Sequence, residues 1–262
     1  MRHQPPRLVI YQVCRCLKIV AGVAAALIPA SLKAEPSKIG WEWGSSIVKS
    51  LQGEAYWLIP CSLILVGLLS LLQKEIGAPW VWDHVHFLLD RIQEVAFPPT
   101  LVSGDLHHHR VTLFKYSTFC FVWKKWPWTG WLHAVERSGH STRRRSVCFR
   151  APDDADHAEG VAGIAWARKG AVILNNLPDL YEANLADKKL ESYAKATRVS
   201  PGMLKHRLPH SRSFYAIPVE SKNRIWGVIV IDSRSPEIKT ATEIAASFSL
   251  IGKYLGKLLE KA

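Results

Sequence analysis

Residues 55–73 read AYWLIPCSLILVGLLSLLQ, a run without a single charged side chain. At about 1.5 Å of rise per residue, a helix of this length roughly matches the hydrocarbon core of a bilayer. A core helix of a soluble domain normally keeps a polar stripe, and none is present here. Tyr56 and Trp57 stand at one end, where amphipathic rings settle at a membrane interface. Pro60 falls in the first turns of the run, where a missing N–H costs least. The segment predicts a transmembrane helix, and any fold for this chain has to accommodate it.

A second apolar stretch, IVAGVAAALIPASL at 19–32, comes before it. It lengthens back to about residue 16 if Arg15 and Lys18 snorkel. A secretory signal peptide is the rival, since Arg2, Arg7, Arg15 and Lys18 precede an apolar run of suitable length. Ile28-Pro29-Ala30 and Leu32-Lys33-Ala34 make poor cleavage sites, which favours an uncleaved helix. The expected organisation is a membrane region over 1–76, with helices at about 16–32 and 55–73 around an external loop, 33–54. The excess of Lys and Arg at the N-terminus orients both ends inward. The chain from Lys74 onward is then cytoplasmic, at the inner membrane of a bacterium. The outer loop, with Trp41 and Trp43, is too short to form a sensor domain of its own.

Formal net charge is +12, from 34 Lys and Arg against 22 Asp and Glu. That excess favours anionic partners: lipid head groups, nucleic acid or phosphorylated small molecules. The cysteines (Cys14, Cys16, Cys61, Cys120 and Cys148) are odd in number and include no C-x-x-C. They read as small hydrophobes in a reducing compartment rather than as a disulfide framework. Palmitoylation is an alternative for Cys14 and Cys16, which stand beside basic residues at a membrane entry. No nucleophile elbow, Walker loop, H-E-x-x-H or dinucleotide-binding glycine pattern occurs, so no catalytic residue is assigned. His107, His108 and His109 point to alternate faces of an extended chain and cannot all ligate one metal. No metal or cofactor is expected.

Beyond the membrane region, Pro79–Phe97 places Val81, Val85, Leu88, Leu89, Ile92 and Val95 at helical spacing. This amphipathic helix is the expected connector, over 77–98. Strand character then takes over: Val111–Trp123, Arg144–Phe149, a short Val172–Leu174, and a hairpin of Ser213–Glu220 with Ile225–Ile231 around Lys222-Asn223. A helix fits between Asp179 and Arg198. Another runs over Thr240–Leu259, with Thr240 and Glu243 spaced as a capping box.

In these segments the chain resembles the GAF family. The leading helix matches, as does the strand from His109-Arg110-Val111-Thr112-Leu113-Phe114. Glu159-Gly160-Val161-Ala162-Gly163-Ile164-Ala165-Trp166 is similar to the family's G-x-x-G helix start. Val172-Ile173-Leu174-Asn175-Asn176 resembles the strand and loop that follow. Ile217-Pro218-Val219 and Gly227-Val228-Ile229-Val230-Ile231-Asp232-Ser233 are similar to its closing hairpin. The resemblance spans Pro79–Ala262 and puts the GAF-like domain at 99–262. It implies an α+β fold: an antiparallel sheet with the terminal helices on one face and a ligand pocket under loops on the other. The N-K-x-F-D-E motif of cyclic-nucleotide-binding members, a bilin-attachment cysteine loop and the loop cysteines of the sulfoxide-reductase branch are all missing. The family ligand therefore stays open, and a non-enzymatic role is expected.

Arg143, Arg144 and Arg145, in the segment Arg137–Arg145 with its Gly and hydroxyls, suit a phosphate through bidentate bonds. A solvated basic hairpin is the plainer reading of the same residues. The resemblance adds Trp166, Asn175 and Asn176 as ligand-binding candidates. Trp126 and Trp128 belong to a cluster interleaved with lysines, which suits lipid head groups or packing against the domain's own sheet; nucleic acid is disfavoured. Tyr56 and Trp57 complete the expected membrane-interface set.

The reading that follows is a membrane-anchored sensor for a small anionic ligand, in its specific form a cyclic nucleotide second messenger. No kinase, cyclase or DNA-binding segment lies within these residues. Output is therefore expected through the transmembrane helices and homo-oligomerisation, as in a membrane-disrupting anti-phage effector. The alternative is a membrane adaptor that uses the same domain for protein contacts.

Overall fold

A computed structural model of the chain describes residues 6–38, 40–98, 109–120, 127–138, 147–181, 187–206 and 208–260. The chain divides into two compact units, one of Met1–Trp82 with the last two residues, the other of Asp83–Glu260.

The first unit is a pair of long helices, α1 (Pro6–Leu32) and α2 (Glu42–Ile76). They run antiparallel: Lys18 Nζ donates to Gln73 Oε1 at 3.5 Å, and Gln52 Nε2 donates to the carbonyls of Ser31 and Ala34 at 2.8 and 2.9 Å. Their buried positions, Cys14, Ala21 and Ile28 on α1 and Ala55, Ser62 and Leu69 on α2, each recur at heptad spacing. Such a seam keeps one face of each helix on its partner, and its small side chains let the backbones approach closely. The outward faces carry Val20, Ile64, Leu71 and other large apolar side chains, all exposed. Two helices, Val9–Leu32 and Glu42–Gln73, are long and apolar enough to cross a membrane.

This unit departs from the sequence reading in three places. The first helix starts well before residue 16. Most of the expected external loop 33–54 is helical, because α2 begins at Glu42 with Trp41 as its extended N-cap. Pro60 consequently lies in a helix interior rather than a first turn, where it removes one backbone hydrogen bond. Polar residues at 42–54 hide the helical spacing of that segment, and Gln52 fixes it by tying back to α1.

The second unit is built on a six-stranded antiparallel sheet: β1 (His109–Ser117), β2 (Trp131–Arg137), β3 (Cys148–Arg150), β4 (Val172–Leu174), β5 (Ser213–Ser221) and β6 (Arg224–Ser233). The strand order is β3-β2-β1-β6-β5-β4. Around it stand α3 (Pro79–Ala96, whose first turn belongs to the other unit), α4 (Gly160–Arg168), α5 (Asp187–Thr197), α6 (Pro201–His206) and α7 (Ala241–Leu259). The antiparallel sheet with a leading and a closing helix is the α+β architecture the sequence implies. Central strand β6 reads as a near-continuous apolar run because both of its faces are covered: Val228, Ile229, Val230 and Ile231 are all buried. Lys222 and Asn223 both take positive φ, as the two-residue turn of a tight hairpin requires.

Three details differ from expectation. Trp131–Arg137, given no strand in the sequence reading, is strand β2, paired with β1 from Thr112↔Arg137 to Ser117↔Trp131. Its Leu, His, Ala, Glu and Arg carry little strand propensity, so cross-strand pairing rather than local preference sets its state. The strand expected at Arg144–Phe149 corresponds to β3, Cys148–Arg150; residues 144–146 lie outside the described residues. At the start of α7, Thr240 makes no side-chain cap bond; its hydroxyl donates instead to the Ala96 carbonyl at 2.7 Å, joining the two ends of the unit.

Candidate functional site

The G-x-x-G segment is where the backbones of two arginines meet one helix start. Gly160, which opens α4, sits at φ +70, and a Cβ there would fall 2.7 Å from the Phe149 ring. A Cβ on Gly163 would fall 2.9 Å from the Arg150 carbonyl. Both glycines therefore let α4 lie directly on β3. With the helix this close, the Glu159 N–H donates to the Arg150 carbonyl at 2.8 Å, and the Gly160 N–H reaches the Arg198 carbonyl at 3.5 Å. Arg150 and Arg198 thus flank the Glu159–Gly160 step through their backbones.

Their side chains are poorly satisfied. Arg150 Nε and Arg198 Nη1 are both buried without a hydrogen-bond partner. A buried donor left unpaired costs about 1–3 kcal/mol, and more when charged, so such atoms mark places that a ligand or ordered water fills. Arg198 Nη2 reaches Asp156 Oδ1 at 3.4 Å, but Asp156 is largely exposed. Arg198 also takes φ 53 immediately after α5, the left-handed position that glycine most often occupies at a helix end. A long cation held there at a conformational cost points to a use for the side chain.

Beside this step the surface opens into a depression of about 460 Å³, lined by Glu159, Glu191, Lys195, Arg198, Ser200 and Pro201 among others. Two cations and two carboxylates face it. Such a lining offers donors to an anionic group and acceptors to an amine or base edge on the same molecule.

The residues singled out from sequence fall variously. Arg143, Arg144, Arg145 and Trp126 lie outside the described residues. Trp166 stacks on Tyr116 with centroids 4.0 Å apart and packs against the apolar cluster between α4 and the sheet. Burial, and then the charge of Asp153, hold the Tyr116 phenol above its ordinary pKa. Asn175 Oδ1 is buried without a partner. Asn176 turns the chain at φ 57 and donates its N–H to the Pro236 carbonyl at 2.6 Å. Trp128 is exposed and tilts against Phe119 at 4.7 Å. Tyr56 and Trp57 are exposed on α2, edge to face at 5.2 Å. Sequence reasoning missed Arg150, Lys195 and Arg198. The available signal was Arg198 standing just before Val-Ser-Pro-Gly, at a helix stop where glycine would be ordinary.

No family model matches the sequence, and no curated protein is similar to it. Solved structures are similar at low identity. A type II free methionine-R-sulfoxide reductase from Thermoplasma acidophilum is 14% identical, with 68% of this chain and 92% of that chain covered at a TM-score of 0.41. The GAF domain of A. Aeolicus nlh2 in an inactive state is 14% identical, covering 69% and 93% at 0.38. The GAF domain of a two-component sensor histidine kinase from Bacillus halodurans is 16% identical, covering 68% and 92% at 0.37. They include an enzyme and a domain of a sensor histidine kinase, and assign neither ligand nor activity to this chain.

Proposed function

We propose that the chain is a membrane-anchored, non-enzymatic sensor whose Asp83–Glu260 unit binds a small anionic ligand at Arg150 and Arg198, with output through the α1–α2 pair. The observation that carries this reading is Arg198, which lines the depression and whose Nη1 is buried and unpartnered; Arg150 Nε, likewise buried and unpartnered, belongs to the residue whose carbonyl accepts from the Glu159 N–H. A phosphate or carboxylate would accept from these nitrogens. Glu159 and Glu191 in the same lining suit a ligand that also donates. A cyclic nucleotide offers both chemistries, an anionic phosphate and exocyclic amines, and is the specific ligand class favoured. In the effector form of this reading, the occupied protein self-associates and its apolar helices disrupt the membrane, as an anti-phage defence protein would.

A thermal-shift panel of cyclic mono-, di- and trinucleotides on the full chain in detergent tests the reading. A ligand at 100 times its Kd adds about 2.7 kcal/mol, which raises the midpoint by several degrees. No shift with any member would exclude the nucleotide form. The adaptor reading draws on a separate feature: Leu250 and Tyr254, one turn apart on α7, are 79% and 51% exposed. A chain that shows no nucleotide shift but captures a partner through that pair would support the adaptor instead.

A further inference from the structure

The Sγ atoms of Cys120 and Cys148 lie 3.7 Å apart, on residues 28 positions apart in sequence. Both residues are half-buried. Cys120 follows β1, and its N–H donates to the Pro127 carbonyl at 3.1 Å, which also accepts from Trp131 Nε1 at 2.9 Å. Cys148 opens β3, the edge strand of the sheet, and is held opposite His133 of β2. Each backbone is therefore fixed by its own hydrogen bonds, and the two thiols meet by tertiary structure rather than by sequence spacing.

From this geometry we infer that Cys120 and Cys148 are a redox modification site that closes reversibly into a disulfide. A disulfide needs its sulfurs at about 2.05 Å, and small side-chain rotations on two fixed backbones supply the difference. The oxidant is a hydroperoxide. One thiolate attacks the peroxide O–O bond, forming a sulfenic acid and releasing water (or an alcohol, from an organic hydroperoxide). The second thiol attacks the sulfenic sulfur, forming the S–S bond and releasing another water. Two thiols are oxidised and one peroxide is reduced. A small dithiol reverses the reaction by exchange. The bond would tie the connection after β1 to the edge strand, closing a loop that holds Lys124, Lys125, Arg137, Arg143, Arg144 and Arg145 in sequence. The remaining cysteines sit on α1 and α2, so the pair is the natural resolving couple of its unit.

The test treats the full chain in detergent with hydrogen peroxide, alkylates it under denaturing, non-reducing conditions and maps the peptides. The expected product is one linked pair, Cys120–Cys148, lighter by two hydrogens. Alkylatable thiols fall from five to three and return to five with dithiothreitol. Cys120→Ser and Cys148→Ser should each remove the link, and each should trap its remaining cysteine as a dimedone-reactive sulfenic acid or an over-oxidised form. The wild-type map decides the matter even if one variant folds poorly. Sulfonic acids at 120 and 148 without a link, or oxidation confined to Cys16 and Cys61, would overturn the inference.

Discussion

Tyr116 and Trp166 stack face to face, their ring planes only 6° apart, and so lock α4 onto strand β1. The contact spends on packing a tryptophan that sequence suggested for a ligand. Trp166→Ala should lower the unfolding free energy by about 2–4 kcal/mol in urea, while Trp166→Phe should lose roughly half as much. A loss of ligand response with unchanged stability would instead restore Trp166 to a binding role.

Gly160→Ala should be among the most damaging single changes in the second unit. It places a Cβ against Phe149 at a backbone angle that L residues rarely adopt. A loss of about 2–3 kcal/mol in chemical denaturation is expected, with α4 leaving the sheet first in hydrogen exchange.

Arg110 and Asp232 face each other directly across β1 and β6, and the guanidinium bonds the carboxylate that Ser211 Oγ also reaches at 2.5 Å. Burial, and next the charge of Asp232, push the nearby Tyr193 phenol well above its ordinary pKa. Arg110→Met should cost about 3 kcal/mol by leaving Asp232 buried and unpaired, whereas the double change with Asp232→Leu should recover most of it. A double variant as unstable as the single one would refute the assignment.

His86 has its pKa raised, first by a hydrogen bond to Glu136 and then by the Asp90 charge, against the opposing effect of burial. Its Nδ1 lies 3.4 Å from Glu136 Oε1 and its Nε2 3.4 Å from Asp90 Oδ2. A raised folded-state pKa means that the stabilisation is fully present below the unfolded value of 6.5 and is lost as pH rises through the folded value. His86→Gln should therefore cost about 0.5 kcal/mol at pH 5.5 and almost nothing at pH 8.5, because the pair is half-exposed. Equal losses at both pH values would contradict the ion pairing.

Leu68 is exposed on the apolar face of α2. Leu68→Arg should add about 3 kcal/mol to the insertion cost of that span and move a measurable fraction of the protein out of carbonate-washed membranes. Unchanged retention would argue that α2 does not cross the bilayer.

The apolar runs at 19–32 and 55–73 were readable because neither carries a charged side chain. The closing hairpin was readable because Lys222-Asn223 must take positive φ between two apolar strands. Strand β2 was not, since Trp131–Arg137 has weak strand propensity and owes its state to β1. The Cys120–Cys148 contact and the convergence of Arg150 with Arg198 were invisible for a related reason. The first depends on the chain after β1 meeting β3, the second on β3 and the end of α5 meeting at the start of α4, and no spacing encodes either. The glycines of the G-x-x-G motif were visible in sequence, but their purpose, a helix laid directly on Phe149 and the Arg150 carbonyl, appears only in the fold.

The most direct measurement is a pair of binding isotherms, wild type against Arg198→Gly, for the cyclic nucleotide that gives the largest thermal shift. Glycine suits the left-handed position after α5, so the variant should unfold at the same midpoint as wild type or slightly higher. The account predicts saturable one-site binding in the wild type and at least a tenfold weaker isotherm in this equally stable variant. Equal affinity in the two proteins would contradict the claim that Arg198 and its neighbour Arg150 form the ligand site.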